Sequence, residues 1–173
     1  MKQRENRDTM TVEFDVKLEP KDLYRFNLYQ TYTGSQGIIS ILIIILAGVM
    51  TGVSFADGSY NYAFLYAVFF VIFLGYIPVT LWTRAKLSLK TNAVLAGMLH
   101  YEISEEAIRV TQGEENGELP WDQIYKMIAT KHNVLIYSGR KNAYIIPRTQ
   151  LGTKYEALSK IANSRLEKFR VKM

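Results

Sequence analysis

Side chains that could do chemistry are sparse in this sequence, and they do not form a known catalytic pattern. The chain has two histidines, His100 and His132, and no cysteine, which excludes disulfides, zinc–thiolate sites, iron–sulfur clusters and thiol nucleophiles. A metal site needs more convergent ligands than two separated imidazoles supply. The sequence also lacks a P-loop, a dinucleotide-binding glycine motif, a zinc-protease motif and a serine nucleophile elbow. We therefore predict a protein without catalytic residues, metal or cofactor.

Five residues are candidates for either a structural role or a binding role. Asp122 follows Trp121, and we expect its carboxylate to cap a short helical turn and the indole to anchor the core. Arg148 follows a predicted strand, where it could bind an anion or stay solvated. Arg140 and Lys141 occupy a predicted hairpin turn. They are the stronger candidates for contact with lipid headgroups or with an acidic partner.

Two long apolar runs, residues 37–55 and 62–82, organise the rest of the chain. Neither contains a charged residue. As helices at about 1.5 Å per residue they would each extend about 28–32 Å, close to the thickness of a bilayer's hydrocarbon core. Soluble core helices are usually shorter and carry a polar stripe, which both runs lack. We predict a transmembrane hairpin over residues 37–82 with a short outside loop, residues 56–61.

Basic residues flank this hairpin and are absent from its loop. They are Lys17, Lys21 and Arg25 before it and Arg84, Lys86 and Lys90 after it. Because positive residues near membrane segments stay in the cytoplasm, we predict a multi-pass protein with both termini cytoplasmic. Since neither span holds an ionisable residue, the helices resemble an anchor rather than a transport path.

Gly48 and Gly52 form a G-x-x-x-G motif in the first span. Such a pair lets two helices approach closely. It predicts either contact with the second helix of the same chain or a homodimer.

Charge is concentrated after the hairpin, where residues 83–173 carry 15 of the 21 basic residues and nine acidic ones. This excess suits an anionic leaflet, and it could equally be an extension of the positive-inside bias. Because the basic residues are scattered among acidic ones, we do not expect nucleic-acid binding.

The remaining segments predict one cytoplasmic domain divided by the hairpin. Residues 1–17 comprise a polar tail and a strand, 11–17, whose apolar and polar residues alternate. Residues 18–36 predict a helix starting near Pro20, which either lies in the membrane interface or packs on the domain. Residues 83–97 continue as a juxtamembrane helix or linker. Residues 98–173 form the rest of the domain.

Six short strands and a helix are predicted within that last segment. The strands cover 99–103, 107–111, 118–121, 124–130, 134–137 and 143–146, with turns at 112–117 and 138–142. The helix, 153–169, has an apolar stripe of Leu158, Ile161, Ala162, Leu166 and Phe169. Together with the N-terminal strand they predict an α+β membrane protein. In it the hairpin is inserted into a pleckstrin-homology-like seven-stranded barrel or sandwich, capped by the C-terminal helix.

The sequence also resembles a known family. The motifs are the segment PKDLYRFNLY from Pro20, then HYEISEEAIRV from His100, LPWDQI from Leu119 and NAYIIPR from Asn142. They resemble the YcxB-like family of small bacterial membrane proteins. This resemblance implies a location in the bacterial cell membrane and a pleckstrin-homology-like cytoplasmic domain. It implies no reaction and no catalytic residue.

These features favour a membrane-anchored, non-catalytic module. We expect it to bind a protein partner or anionic lipid at the inner leaflet, and immunity against a membrane-acting toxin is one such role. The alternative is an accessory subunit of a transporter, or a membrane enzyme with an unrecognised site.

Overall fold

A computed structural model describes residues 11–173, so the expectations for the N-terminal tail lie outside the described residues. The elements follow the order β1, α1 to α4, β2 to β7, α5, α6 and β8. The described fold is α+β, with two long apolar helices and two four-stranded sheets.

The two apolar helices are α2 (Ser35–Ala56) and α3 (Tyr60–Thr91). They are joined by a tight turn in which Gly58 has φ 73°, a left-handed conformation that glycine adopts without steric cost. In their most apolar windows only 6% and 0% of the residues are buried. A core helix of a soluble protein would be buried. These two helices are long and apolar enough to cross a membrane.

Gly48 of the predicted motif faces the second helix. A Cβ added to Gly48 would lie 3.3 Å from Cε2 of Phe70 on α3, whereas one added to Gly52 would meet nothing within 4 Å. The small residue at 48 therefore lets α2 approach α3 of the same chain. The homodimer expected through Gly48 and Gly52 stays a prediction.

Helix α3 is longer than a bilayer requires. Its 32 residues correspond to about 48 Å, so its last turns extend beyond the apolar run. Ala85 is buried there, and Leu89 packs against the domain core. The segment after Trp82 thus continues as helix to Thr91, followed by the short helix α4 (Ala93–Ala96).

Helix α1 (Pro20–Thr33) lies against both this extension and the sheets. Leu23 is buried in the core, and the Tyr24 ring meets the Trp82 ring edge-on with centroids 5.3 Å apart. Of the two expectations for this segment, packing on the domain is the one these contacts support. The corner between α1 and α2 is tight, because a Cβ on Gly37 would overlap the carbonyl oxygen of Thr31.

The first sheet contains β1 (Val12–Lys17), β2 (Met98–Ile103), β3 (Ala107–Gln112) and β4 (Glu115–Pro120), in that order and antiparallel throughout. Strand β1 pairs directly with β2, with Phe14 opposite Tyr101. The helical segment is therefore inserted between two neighbouring strands of one sheet.

The second sheet has the order β7-β6-β5-β8. Its antiparallel strands are β5 (Lys126–Ala129), β6 (Asn133–Tyr137) and β7 (Ala143–Pro147), and the two-residue β8 (Val171–Lys172) pairs with β5 in parallel. The two sheets do not close into a barrel. The seven expected strands are present, and β8 is an eighth in the part of the chain that the structure describes.

Two boundaries differ from the prediction by three residues or more. Strand β4 begins at Glu115, not Glu118, because a tight turn with Gly113 at φ 60° lets Gln112 pair with Glu115. The last long helix, α6 (Lys154–Arg165), follows the one-turn helix α5 (Arg148–Leu151) and ends earlier than expected. Leu166 remains buried, but Phe169 is 76% exposed, so its place in the apolar stripe is wrong. After the helix ends at Arg165, the chain packs on the second sheet instead. The Arg170 guanidinium donates hydrogen bonds to the carbonyl oxygens of Ile124 and Tyr125, and β8 pairs with β5.

Candidate functional site

The basic hairpin turn lies against helix α1. Residues 138–142 connect β6 to β7, and the backbone N–H of Ser138 donates to the Asn142 carbonyl at 3.1 Å. The Gln30 Nε2 donates to the Lys141 carbonyl at 3.2 Å. The side chains of Arg140 and Lys141 are exposed. The turn is therefore held at the end of α1 that leads into the apolar helices.

A surface depression of about 290 Å³ lies beside this contact. It is lined by side chains of α1, the C-terminal part of α3 and the basic turn, namely Phe26, Asn27, Gln30, Thr31, Leu81, Arg84 and Lys141. We call it the basic depression. The ion pairs found among residues 11–173 do not involve Arg84, Arg140 or Lys141. Their charges are thus free to interact with an anion.

Gln30 contributes an unsatisfied acceptor at the same place. Its Oε1 is buried and has no hydrogen-bond partner in the described chain. Such an atom is stabilised when a donor reaches it. The basic depression therefore combines two cations, Arg84 and Lys141, with one acceptor that lacks a donor.

Arg148 lies elsewhere. Its backbone N–H donates to the His132 carbonyl at 2.8 Å, and its guanidinium lies 4.3 Å from the centre of the Tyr155 ring. It follows β7 at one end of the second sheet, whereas the basic turn is at the other end. The five residues of β7 separate the two by about 16 Å, at ~3.3 Å per residue. The structure does not bring Arg148 together with Arg140 and Lys141.

The acidic turn at the junction of β3 and β4 contains Glu114 and Glu115. Gln112 donates from Nε2 to the carbonyl oxygens of Ala93 and Val94, at 3.3 and 3.1 Å. This contact places the acidic turn beside α4.

The histidines occupy ordinary structural positions. His100 on β2 lies opposite Asp15 on β1, with Nδ1 and Oδ1 2.7 Å apart. His132 is in the turn between β5 and β6, where desolvation and then the charges of Arg25 and Lys131 lower its pKa. Within residues 11–173 there is no group of three or more potential metal ligands. The His100–Asp15 pair was missed because it depends on strand register.

Of the two predictions for neighbouring residues, the one for Trp121 is confirmed and the one for Asp122 is wrong. Trp121 is buried, and its Nε1 donates to the Ser104 carbonyl at 3.0 Å, which confirms its role as a core anchor. Asp122 lies inside the 3-10 turn Trp121–Gln123, which starts after Pro120 without a side-chain cap. The expected capping by Asp122 is therefore wrong, since the turn begins one residue too early for it.

Two buried polar residues hold α1 in position. Asp22 accepts a hydrogen bond from the backbone N–H of Glu19 at 3.1 Å, and its backbone carbonyl accepts from Asn133 Nδ2 at 3.2 Å. Further along, burial raises the pKa of Tyr137 to about 12, with a smaller contribution from Tyr29. The hydrogen bonds of Asp22 and Asn133, together with the contact between the Phe26 and Tyr137 rings, hold the helix that carries Gln30.

Comparison with known proteins agrees with the strand and turn motifs. No curated protein and no solved structure matches the chain. A family model described as YcxB-like protein matches residues 103–162, which contain Arg140, Lys141 and Arg148. The resemblance predicted from the sequence is thereby confirmed: over residues 103–162, this chain matches the YcxB-like family.

Proposed function

We propose that this chain is a membrane-anchored, non-catalytic module of the bacterial plasma membrane, whose basic depression binds anionic lipid headgroups at the cytoplasmic leaflet. The observation that carries the proposal is the position of the basic turn. It is docked on α1 at Gln30, beside Arg84, where the apolar run of α3 ends. On this proposal the sheets form a pleckstrin-homology-like domain.

Strand pairing supports the topology. Because β1 and β2 are neighbours in one sheet, Lys17 and Met98 must lie on the same side of any membrane. The chain between them therefore crosses an even number of times, so α2 and α3 either both cross or neither does. Exposed apolar surfaces on both helices support crossing, and the basic flanks support a cytoplasmic domain.

The chemistry of the basic depression fits a phosphodiester with a neighbouring hydroxyl or ammonium group. Arg84 and Lys141 would face the phosphate, and Gln30 Oε1 would accept the hydrogen bond from the headgroup's donor. Phosphatidylglycerol has both the phosphodiester and a neighbouring hydroxyl group. Each basic residue near an anionic surface contributes about 1 kcal/mol, so Arg84, Arg140 and Lys141 together supply on the order of 3 kcal/mol. Arg148 lies beyond a Debye length of about 8 Å from that turn and contributes little.

The test compares lipid selectivity of the full chain with that of a double variant. Arg140→Ser with Lys141→Ser is reconstituted in nanodiscs of phosphatidylcholine and phosphatidylglycerol, and native mass spectrometry measures which lipids remain bound. We expect the wild type to be enriched in phosphatidylglycerol. We expect the double variant to lose that enrichment, by a margin that shrinks as salt rises.

A matched control removes the same charge at a distance. Lys160→Ser with Lys168→Ser alters two exposed basic residues near the C-terminus and should leave the enrichment intact. Equal lipid selectivity in wild type and Arg140/Lys141 variant at low salt would refute the lipid proposal. If that variant instead loses an acidic protein captured from native membranes, the same surface serves a protein partner.

The topology has its own test, since the chain has no native cysteine. Ser59 and Ser138 are both exposed, and each is replaced by cysteine in turn. An impermeant thiol reagent on intact cells should label the variant at Ser59 and spare the one at Ser138. Labelling at Ser138 before permeabilisation would place the domain outside.

A further inference from the structure

A second, apolar cavity lies in the gap between the two sheets. Its volume is about 360 Å³, within the range of about 300–1,000 Å³ of small-molecule sites. It is bordered by the edge strands β4 and β7 and by α4. Its walls are mainly apolar, with Leu18, Leu95, Leu99, Val110, Ala143 and Ile145 among them. Arg84 and Lys141 do not line it, so it is separate from the basic depression.

The cavity has a local cause in the sequence. Gly117 on β4 lies opposite Val110 on β3 and offers no side chain to fill the gap, while Ala143 on β7 offers a small one. The Gln112 amide holds α4 over the same space through its bonds to the Ala93 and Val94 carbonyls. The sheets therefore remain apart at a place where a closed barrel would have packed side chains.

Tyr101 gives the cavity a polar group without a partner. The side chain lines the cavity and is 1% exposed, and its hydroxyl has no hydrogen-bond partner among the described residues. Stacking on Phe14 at 5.4 Å and an edge contact with Tyr144 at 6.4 Å fix the ring. Burial raises the pKa of Tyr101 well above its usual value, so the phenol stays neutral. An unpartnered buried hydroxyl is unfavourable unless a bound molecule satisfies it.

We propose that this cavity binds one uncharged acyl chain and that the Tyr101 hydroxyl donates a hydrogen bond to the ester or amide carbonyl of that chain. The apolar walls accommodate the hydrocarbon, and a single buried donor matches a single carbonyl oxygen. Glu115 at the polar rim opposes a carboxylate, which favours an ester or amide over a free fatty acid. The apolar helices of the same chain would keep the domain near a bilayer, where acyl compounds are concentrated.

The test uses the full chain in lipid nanodiscs and a photoreactive probe, methyl octanoate with a diazirine on its alkyl chain. After irradiation, peptide mass spectrometry locates the labelled residues. We expect saturable labelling around Leu95, Val110 and Ala143. An excess of unmodified methyl octanoate should suppress it, while bilayer-driven labelling of α2 and α3 should persist. Octane and octanoate should compete poorly, because octane has no carbonyl and octanoate is charged.

Variants then separate binding from folding. Tyr101→Phe removes the hydroxyl alone, so half-saturation should require about 3- to 10-fold more probe. Its melting temperature should be unchanged or higher, because an unsatisfied polar group is lost. Tyr137→Phe, a buried tyrosine outside the cavity, should leave half-saturation unchanged. Ala143→Leu should fill the cavity and abolish saturable labelling.

Three results would overturn this assignment. The first is labelling confined to α2 and α3. The second is equal competition by octane and by methyl octanoate. The third is a Tyr101→Phe variant that melts at the same temperature or higher and binds the probe as well as wild type. A poorly folded Ala143→Leu variant would not affect that last comparison.

Discussion

Replacing Phe14 by alanine tests whether the N-terminal strand is an integral part of the domain. Phe14 is 5% exposed in β1 and stacks on Tyr101 of β2, with ring centroids 5.4 Å apart and planes 10° from parallel. The two residues lie opposite each other in the strand register. Truncation therefore removes a buried ring at the pairing that joins the first strand to the remainder of the domain.

The expected cost follows from this burial. A Phe→Ala change in a packed core costs about 3–5 kcal/mol, of which an aromatic pair accounts for about 0.5–1.5 kcal/mol. Domains of ordinary stability have about 5–15 kcal/mol in total. Phe14→Leu, which keeps part of the buried volume but loses the stacking, should cost less than Phe14→Ala. Glu13→Ala, on the exposed face of the same strand, should change stability by less than about 0.5 kcal/mol.

Tryptophan fluorescence can measure these differences in the full chain. The protein has two tryptophans, and a Trp82→Phe background leaves Trp121, in the domain core, as the reporter. With a urea dependence of about 1–3 kcal/mol per M, Phe14→Ala should lower the unfolding midpoint by at least about 1 M. Identical midpoints for Phe14→Ala and Glu13→Ala would mean that β1 is a loose segment, contrary to the pairing described above.

Two further predictions concern the helix corner and the pH response. Gly37→Ala forces a Cβ into the backbone of the α1–α2 corner and should cost about 1–3 kcal/mol, whereas Gly52→Ala, with open space around it, should be nearly neutral in the same urea-unfolding assay. Because desolvation and the charges of Arg25 and Lys131 lower the pKa of His132, the unfolded chain binds more protons at this residue. Stability should therefore fall as the pH drops below about 6.5, and His132→Gln should make the decline shallower; an identical pH profile in the variant would contradict that reasoning.

The elements that could be predicted from the sequence are those that bury one face, because their apolar and polar residues then follow a regular pattern. Strand β1 alternates apolar and polar residues, and its buried and exposed positions alternate in the same way. The hairpin around Arg140 and Lys141 was also predictable, because two apolar strands flank a polar turn. Local patterns sufficed in both cases, since the burial of each residue follows from its own strand.

Other features depend on contacts between distant segments. Strand β4 begins at the polar residues Glu115 to Gly117 because backbone pairing with β3 needs no apolar side chain. Phe169 has helical spacing from Leu166, but the chain leaves the helix after Arg165. Periodicity cannot reveal where a chain turns away to pair with another strand.

The candidate sites were predictable to different extents. Charge and turn chemistry pointed to Arg140 and Lys141, but the contact of Lys141 with Gln30 spans 111 positions of sequence and needs the folded chain. The position of Arg148 at the other end of the sheet depends on how far β7 extends. The cavity at Tyr101 has no sequence signal, because it arises from an unfilled space between two sheets.

The pairing of β1 with β2 also has a consequence for biosynthesis. Strand β1 ends at Lys17 and β2 begins at Met98, so the roughly 80 residues between them must be made before the two strands can pair. At about 5–20 residues per second, β1 leaves the ribosome several seconds before its neighbour exists. During that interval it has unpaired backbone groups and three apolar side chains, the features that make an edge strand prone to aggregation. Synthesis of the apolar helices must therefore precede closure of the first sheet. If these helices enter a membrane as proposed, a delay at that step would leave β1 available to bind chaperones or other nascent chains.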